Sequence, residues 1–399
     1  MPPALPEELR SSPDDPARLL GAALVCKDWC RLICDPGFRR RFRRRFREFH
    51  HGTLPLLGII YRGGEASTTH GSWNIVTKTS FMPLSTFTLP SACKISSRDA
   101  IDALHSRILF CDTEEDSRGP STWMEFVVWS PMPSQVRRLP LLRLGRRRIR
   151  YTWAAALLCA AAGCDHLDCS SGAFAVVFVG TESILGLTTS AYVYSSEQDV
   201  WSEPVSTRDR IVEGICRPSA RVGNTVYFLC EESAKLLAFD LRKQQLSFVG
   251  IPPMCWNHSF TAFTIADDDG GKLGIAAARD SKLATWSREA AGSVDGGDAG
   301  WTQTRVFELD KLLPSCTLSS EYDLYATTNN HGVIVVKGHD VLFAIDLKSG
   351  NVTKNTFMIH GCDLEHVYDV VLCMGFCTPQ CSKLASGHAT TVPLSSTNT

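Results

Sequence analysis

The residues best suited to bind a metal are cysteines and histidines, which form two groups. Cys26, Cys30 and Cys34 recur every four residues, on one side of a predicted helix. The second group contains Cys373, Cys377 and Cys381, with His360, Cys362 and His366 nearby. Zinc takes four ligands in a tetrahedron, usually supplied as short paired spacings. Neither group has such pairs, so we expect free thiols, no bound metal and no other cofactor.

Sequence signatures of catalysis are absent. The chain has no Gly-x-Ser-x-Gly elbow, no Gly-x-x-x-x-Gly-Lys-Ser/Thr phosphate loop and no His-Glu-x-x-His pair. The segment from Asp267 to Gly271 resembles the start of a calcium loop but lacks the closing glutamate at the twelfth position. We therefore predict a binding protein, not an enzyme. The alternative, a β-propeller enzyme, would need charged or metal-binding residues that converge on a central channel.

Arginine is concentrated in two stretches. Seven arginines lie between Arg39 and Arg47, and they fit a solvated helix face, a nuclear-localisation signal or a nucleic-acid patch. The localisation patch would consist of Arg39, Arg40, Arg41, Arg43, Arg44 and Arg45. A second cluster contains Arg143, Arg146, Arg147, Arg148 and Arg150, and we expect it to face solvent or a partner.

The length, net charge and composition of the chain are typical of a soluble globular protein. The chain has 399 residues, a formal net charge of -1 and 44% hydrophobic residues, which allow a sizeable core and give no reason to expect a membrane or nucleic-acid partner. Its start, MPPALPEELR, lacks the pattern of a signal peptide, and its apolar runs fall short of the ~20 residues of a membrane span. We expect a cytoplasmic location, a nuclear one, or both.

The first fifty residues have a helical pattern. Asp15 is a predicted N-cap and Pro16 the first residue of a helix that runs to Cys34 with one apolar face. The Asp-Pro-Gly at 35–37 is expected to break it. A second helix is predicted because phenylalanines at 38, 42, 46 and 49 share one side, with the arginines around the rest.

From residue 54 onward the pattern changes to short β runs with a weak repeat. A strand such as that from Leu237 to Asp240 is followed by a polar turn and an apolar anchor. The anchors are Val136, Trp201, Leu246, Trp301 and Val352, and the long gap after the first is interpreted as an insertion from Leu139 to Cys169. Repeats of this length are typical of propeller blades. We predict an all-β, propeller-like domain of six or seven units, with a pair of β-sandwiches as the alternative.

Three short motifs resemble the F-box. They are Leu5-Pro6-Glu7-Glu8-Leu9, then Leu24-Val25-Cys26-Lys27-Asp28-Trp29, and then Asp35-Pro36-Gly37-Phe38. The stretch FRRRFREFHHGTLPLLGIIY that follows resembles the large grass family of F-box proteins with propeller-like C-terminal regions. The resemblance implies an F-box that binds the Skp-type adaptor of an SCF cullin–RING ubiquitin ligase, and a β domain that selects the target. The implied adaptor-binding residues are Leu5, Pro6, Leu9, Leu24, Val25, Cys26 and Trp29.

The chain departs from the family pattern in its first helix. Leu9-Arg10 runs directly into Ser11-Ser12-Pro13, where the family has an amphipathic helix. The expected organisation is a multidomain chain: a helical F-box remnant at 1–50, a partner-binding β domain at 51–380 and a disordered tail at 381–399. The alternative function is a β-propeller protein-binding scaffold that has lost its ligase association through truncation of the F-box.

Overall fold

The chain divides into two compact units, one formed by residues 1–51 and 376–399 and the other by residues 52–375. Within them, the computed structural model describes residues 25–49, 56–69, 72–83, 98–112, 123–130, 135–144, 151–160, 172–182, 188–207, 215–230, 235–252, 261–266, 272–279, 281–289, 300–313, 323–327, 332–337, 342–347, 349–355 and 367–374. The predicted tail at 381–399 lies outside these ranges.

Two helices form the described part of the first unit: α1 (Lys27–Cys34) and α2 (Pro36–Phe49). Cys26 caps α1 with an extended backbone (φ -153°, ψ 160°), and its Sγ accepts a hydrogen bond from the Trp29 amide at 3.4 Å. Asp35 separates the helices, and its Oδ1 accepts from the Phe38 amide at 2.7 Å. The predicted continuous helix to Cys34 is therefore wrong at Cys26. The second helix already starts at Pro36, because proline fits the first helical turn.

The second unit is built from strands. The first eight are β1 (Leu56–Thr69), β2 (Ser72–Pro83), β3 (Arg98–Leu104), β4 (Arg107–Asp112), β5 (Trp123–Met124), β6 (Phe126–Ser130), β7 (Gln135–Arg138) and β8 (Leu142–Arg143). The next nine are β9 (Tyr151–Cys159), β10 (Phe174–Glu182), β11 (Thr189–Ser195), β12 (Val200–Trp201), β13 (Val205–Thr207), β14 (Ile215–Val222), β15 (Thr225–Cys230), β16 (Lys235–Asp240) and β17 (Gln245–Gly250). The last nine are β18 (Thr261–Ala266), β19 (Lys272–Arg279), β20 (Lys282–Glu289), β21 (Thr302–Glu308), β22 (Asp323–Thr327), β23 (Val333–Lys337), β24 (Leu342–Asp346), β25 (Val352–Asn355) and β26 (Val367–Met374), with the short helix α3 (Leu309–Leu312) after β21.

These strands form six blade-like antiparallel sheets. Blades 1 to 5 have the orders β3-β4-β6-β7, β9-β10-β11-β12 with β13 also on β11, β14-β15-β16-β17, β18-β19-β20-β21 and β22-β23-β24-β25. Blade 6 has the order β2-β1-β26, and β5 pairs with β8 as a small extension of blade 1. The predominance of strands predicted from the β runs is confirmed.

The six sheets close into a ring. The first strands of blades 1 to 5 contact one another in order, and β26 contacts both β22 and β3. Blade 6 joins the two ends of the unit, since Ile59 on β1 pairs with Leu372 on β26. The result is propeller-like, with six blades among the described residues, and it is not a pair of sandwiches.

The core lies between blades. One apolar cluster joins blades 1 and 2 through Phe126, Val128, Phe178 and Tyr194. Further clusters join blades 2 and 3, blades 3 and 4, and blades 4 and 5. Each of blades 2 to 4 therefore buries both of its faces against neighbours, which a lone four-stranded sheet cannot do.

The sequence repeat corresponds to the last two strands of a blade. Of the five predicted anchors, four lie in the fourth strand of their blades and Trp301 directly precedes β21. The turns before three anchors end in a residue with positive φ: Asp199 (58°), Gln244 (51°) and Gly350 (76°). A residue of this conformation completes a four-residue hairpin turn. The predicted insertion from Leu139 to Cys169 is wrong in part, because it contains β9, the inner strand of blade 2.

Two buried carboxylates on the inner strand of blade 1 bind groups of the neighbouring blades. Asp102 on β3 accepts a hydrogen bond from the Leu157 amide on β9 at 2.8 Å. Asp99, also on β3, pairs with Arg62 on β1 at 2.6 Å. Buried polar groups of this kind are costly when a partner is removed.

We expect Asp102→Ala to lower the free energy of unfolding by about 2 kcal/mol, because it leaves the buried Leu157 amide without its acceptor. Asp102→Asn keeps an acceptor oxygen and should lose less. The measurement is the midpoint of urea unfolding, with the exposed Asp310→Ala as control, which should change the free energy by less than about 0.5 kcal/mol. Equal losses in all three variants would contradict this role.

Candidate functional site

The predicted adaptor-binding residues are only partly described. Leu5, Pro6, Leu9 and Leu24 lie outside the described residues. Val25 is 67% exposed, whereas Cys26 and Trp29 are half-buried. The structure thus gives one exposed and two partly exposed apolar side chains at the start of α1.

The apolar face of α1 is divided along its length. Towards its C-terminal end, Cys30 and Ile33 are buried, and α1 contacts α2. Trp29 in the first turn of α1 and Val25, which precedes the N-cap, keep accessible apolar surface. An accessible apolar ridge of this type is what a helix lays into a groove of a partner.

The arginine run of α2 has two sides. Phe42 and Phe46 are buried, and the Phe38 ring stacks on Phe42 with centroids 6.4 Å apart. Arg43 is also buried, with only 7% exposed, which corrects the expectation that all seven arginines surround a phenylalanine stripe in solvent. Of the six residues of the predicted localisation patch, four are exposed, namely Arg40, Arg41, Arg44 and Arg45, and Arg39 is half-buried.

The cysteines that the structure describes are not arranged as ligands of a metal ion. No group of three or more His, Cys, Asp or Glu is placed to hold a metal within the described ranges. Burial raises the pKa of the Cys373 thiol to about 12, so this thiol stays protonated. The other members of its group, Cys377, Cys381, His360, Cys362 and His366, lie outside the described residues, as does the segment from Asp267 to Gly271.

A polar cluster at the seam of blades 1 and 2 was not predicted. The Tyr194 hydroxyl donates to Asp199 Oδ1 at 2.7 Å. Arg137 on β7 donates to the same oxygen at 3.1 Å and to the Ser196 carbonyl at 2.8 Å. Its guanidinium also lies over the rings of Phe174 and Tyr194. The only sequence signal was the turn SSEQDVW, because the partner Arg137 is remote in sequence.

This cluster shifts two pKa values. Burial, and then the hydrogen bond to Asp199, raise the pKa of Tyr194 to about 12. Hydrogen bonds from Tyr194 and Arg137 lower the pKa of Asp199. Both groups are held in one protonation state by contacts that fasten blade 2 to blade 1, so the cluster has a structural role and not the poised pKa of an acid or base catalyst.

Two of the seams between blades each contain a hydrogen bond from a tryptophan indole. Trp201 Nε1 donates to the Pro140 carbonyl of blade 1 at 2.8 Å. Trp301 Nε1 donates to the Gly250 carbonyl of blade 3 at 2.7 Å. The two tryptophan anchors of the sequence repeat therefore each tie a blade to the preceding one.

Comparison with known proteins assigns neither a family nor a function to this chain. No protein-family model matches the chain, and no curated protein matches it. Similar solved structures include TolB from Acinetobacter baumannii (10% identity, TM-score 0.40, covering 84% of this chain and 72% of that one). A chain of the nidogen/laminin complex has 10% identity and a TM-score of 0.39, and the match covers 80% of this chain and 99% of that one. The periplasmic gluconolactonase PpgL from Pseudomonas aeruginosa has 13% identity and a TM-score of 0.34, and the match covers 78% of this chain and 98% of that one. Similarity this remote assigns no function.

Among the helices within the described ranges, none combines the length and the apolar character needed to cross a membrane.

We expect Tyr194 to make the protein less stable in alkali. Its pKa in the folded chain exceeds the ~10 of an unfolded tyrosine. The stabilising contribution is therefore complete below about pH 10 and decreases as the pH rises towards 12. Urea unfolding at pH 8 to 11 should show a steeper loss of stability above pH 10 in the wild type than in Tyr194→Phe. Parallel curves would exclude this contribution.

Proposed function

We propose that the protein is the substrate-recognition subunit of an SCF-type cullin–RING E3 ubiquitin ligase. In this role the helical unit binds a Skp-type adaptor and the propeller-like unit binds a target protein. Such a receptor has no catalytic step of its own. It raises the effective concentration of the target near the ubiquitin-charged enzyme, so it needs affinity and geometry.

The observation that carries the proposal is the exposure of Val25 next to the half-buried Trp29. Both belong to the motif Leu24-Val25-Cys26-Lys27-Asp28-Trp29 that resembles the F-box. A valine with two thirds of its surface in water contributes little to the core of its own unit, and its apolar surface is free for a partner. Tryptophan is also a frequent energetic anchor of protein interfaces.

The chemistry of the described ring is compatible with a binding role. The inner-strand carboxylates Asp99 and Asp102 are engaged by Arg62 and by the Leu157 amide. They therefore serve the joints between blades. The propeller enzyme considered from the sequence would need acidic or metal-binding groups turned towards a substrate.

The test is a pull-down of the full chain with a purified Skp-type adaptor. We expect Val25→Asp and Trp29→Ala each to reduce adaptor affinity at least tenfold, as buried interface anchors do. Val306→Asp is the matched control, because Val306 is an exposed valine of the ring, and its binding should stay unchanged. If the wild type binds no adaptor where an intact F-box protein does, the ligase role is wrong.

A second candidate function, the protein-binding scaffold without a ligase, is favoured by one feature. Cys26 is extended and interrupts the helical path between Val25 and Trp29, so these side chains do not continue one regular helix face. The sequence also lacks the family's first amphipathic helix before Ser11. Inserting such a helix between Arg10 and Ser11 should create adaptor binding under this alternative, whereas the wild type alone should bind under the first.

A location in the cytoplasm, the nucleus or both belongs to the same proposal. Arg40, Arg41, Arg44 and Arg45 present an exposed basic face on α2. If import factors bind this face, a fluorescent fusion with all four changed to glutamine should lose nuclear signal in cell imaging. The control changes Arg242 and Lys243, two exposed basic residues of a blade 3 turn. Equal nuclear fractions would assign the arginines to a solvated helix face instead.

A further inference from the structure

Exposed large apolar side chains are unevenly distributed over the ring. Five such side chains are exposed among its described residues, and three belong to blade 1: Trp123 (43%), Val136 (51%) and Leu141 (48%). The other two, Val200 and Val306, lie on blades 2 and 4. A single exposed apolar residue is ordinary, but a group of them marks a contact surface.

The register of blade 1 places Val136 and Arg138 on one face. Val128 on β6 packs into the core shared with blade 2, and it pairs with Arg137, which reaches blade 2. Side chains alternate between the two faces of a strand. Val136 and Arg138 therefore lie on the opposite face, turned away from blade 2.

The small β5–β8 extension adds three residues to the same face. Met124 and Leu142 are paired and both pack into the core shared with blade 2. Trp123 is paired with Arg143, and by alternation this pair and Leu141 point the other way. We name the resulting surface the blade 1 patch; its members are Trp123, Val136, Arg138, Leu141 and Arg143.

The blade 1 patch is positively charged. Arg138 is 62% exposed and is paired with Glu125. Arg143 is exposed and forms no ion pair within the described ranges. Glu125 therefore compensates the charge of Arg138, whereas the charge of Arg143 stays uncompensated within the described ranges. The patch therefore combines aromatic and aliphatic surface with uncompensated positive charge, a composition enriched in protein interfaces.

We propose that the blade 1 patch binds an acidic segment of a partner protein that also carries a large apolar side chain. This inference deepens the proposed function and rests on it in one respect: the segment would belong to the target. Carboxylates would pair with Arg143 and with Arg138, and the apolar side chain would cover Trp123 and Leu141. Charge complementarity sets the class of partner, and the apolar contact supplies the anchor.

Other segments that could cover the blade 1 patch fit its positive charge less well. The linker from blade 6 to blade 1, residues 84–97, has no acidic residue, so it offers no carboxylate to the arginines. A second copy would bring the same positive patch against itself in a two-fold dimer. The chain's own Glu114, Glu115 and Asp116 have the right charge, and the experiment below distinguishes this case.

The test is fluorescence anisotropy of the full chain with a labelled peptide that has one leucine flanked on both sides by glutamates. One control peptide has lysines in place of the glutamates, and another has serine in place of the leucine. Only the first peptide should bind well, and its affinity should fall with added salt. A lysine peptide or a serine peptide that binds equally tightly overturns the proposal.

Two variants of the blade 1 patch are compared with two control variants that make the same kinds of change on other blades. Arg143→Glu and Leu141→Asp should each weaken binding of the acidic peptide at least about tenfold. Lys243→Glu on blade 3 and Val306→Asp on blade 4 make the same kinds of change on exposed residues elsewhere and should stay within about twofold. Circular dichroism melts verify that all four variants are folded. No difference between patch and control variants overturns the proposal.

Two further outcomes would also overturn it. Tighter peptide binding by the triple variant Glu114→Gln, Glu115→Gln, Asp116→Asn would show that the chain's own segment covers the patch. A molar mass that doubles with concentration, and that Leu141→Asp returns to the monomer value, would show a second copy there.

Adaptor binding measured on the same samples separates the two proposals. A chain that binds the adaptor but not the acidic peptide contradicts the blade 1 patch alone. A chain that binds the peptide but not the adaptor contradicts the ligase role alone.

Discussion

Blades 2, 3 and 4 each have two apolar faces, and this constraint governs the rest of the structure. Blade 2, for example, packs Phe178 against blade 1 and Val177 against blade 3. A sheet buried on both sides is stable only while both neighbours are present. The circular order of the inner strands gives each blade a neighbour on both sides, and apolar clusters fill the four seams from blade 1 to blade 5. Polar contacts such as that of Asp102 with the Leu157 amide then fix the neighbours in register.

Much of the ring could be predicted from the sequence because its turns are local. Asp240 and Asp346 end the third strands of two blades, and each accepts a hydrogen bond from an amide of the turn that follows. Such side-chain-to-backbone contacts span a few residues, so they leave a visible repeat. The inner strand β9 was missed since its centre is a run of alanines from Ala154 to Ala156, which have weak β propensity.

The candidate site was less predictable. Apolar periodicity passes through Cys26 without interruption, but the residue is extended and its sulfur caps α1. Cysteine is not among the preferred N-cap residues, so no sequence rule identified the break. Arg43 was assigned to solvent because the sequence pattern counts every arginine as polar, whereas the apolar stem of an arginine side chain can be buried. The blade 1 patch depends on pairings such as Trp123 with Arg143, and no local sequence pattern shows this pairing because β6 and β7 lie between the two residues.

The pairing of β1 with β26 has a consequence for synthesis on the ribosome. Strand β1 is translated first, yet its partner residues up to Met374 emerge only after five blades have been made. Until then one long edge of β1 has no hydrogen-bonding neighbour from β26, and unpaired edges promote aggregation. A premature stop codon just before residue 367 would remove residues 367–399, including the short strand β26, and leave that edge permanently open. Such a truncation should be far more damaging than its length suggests.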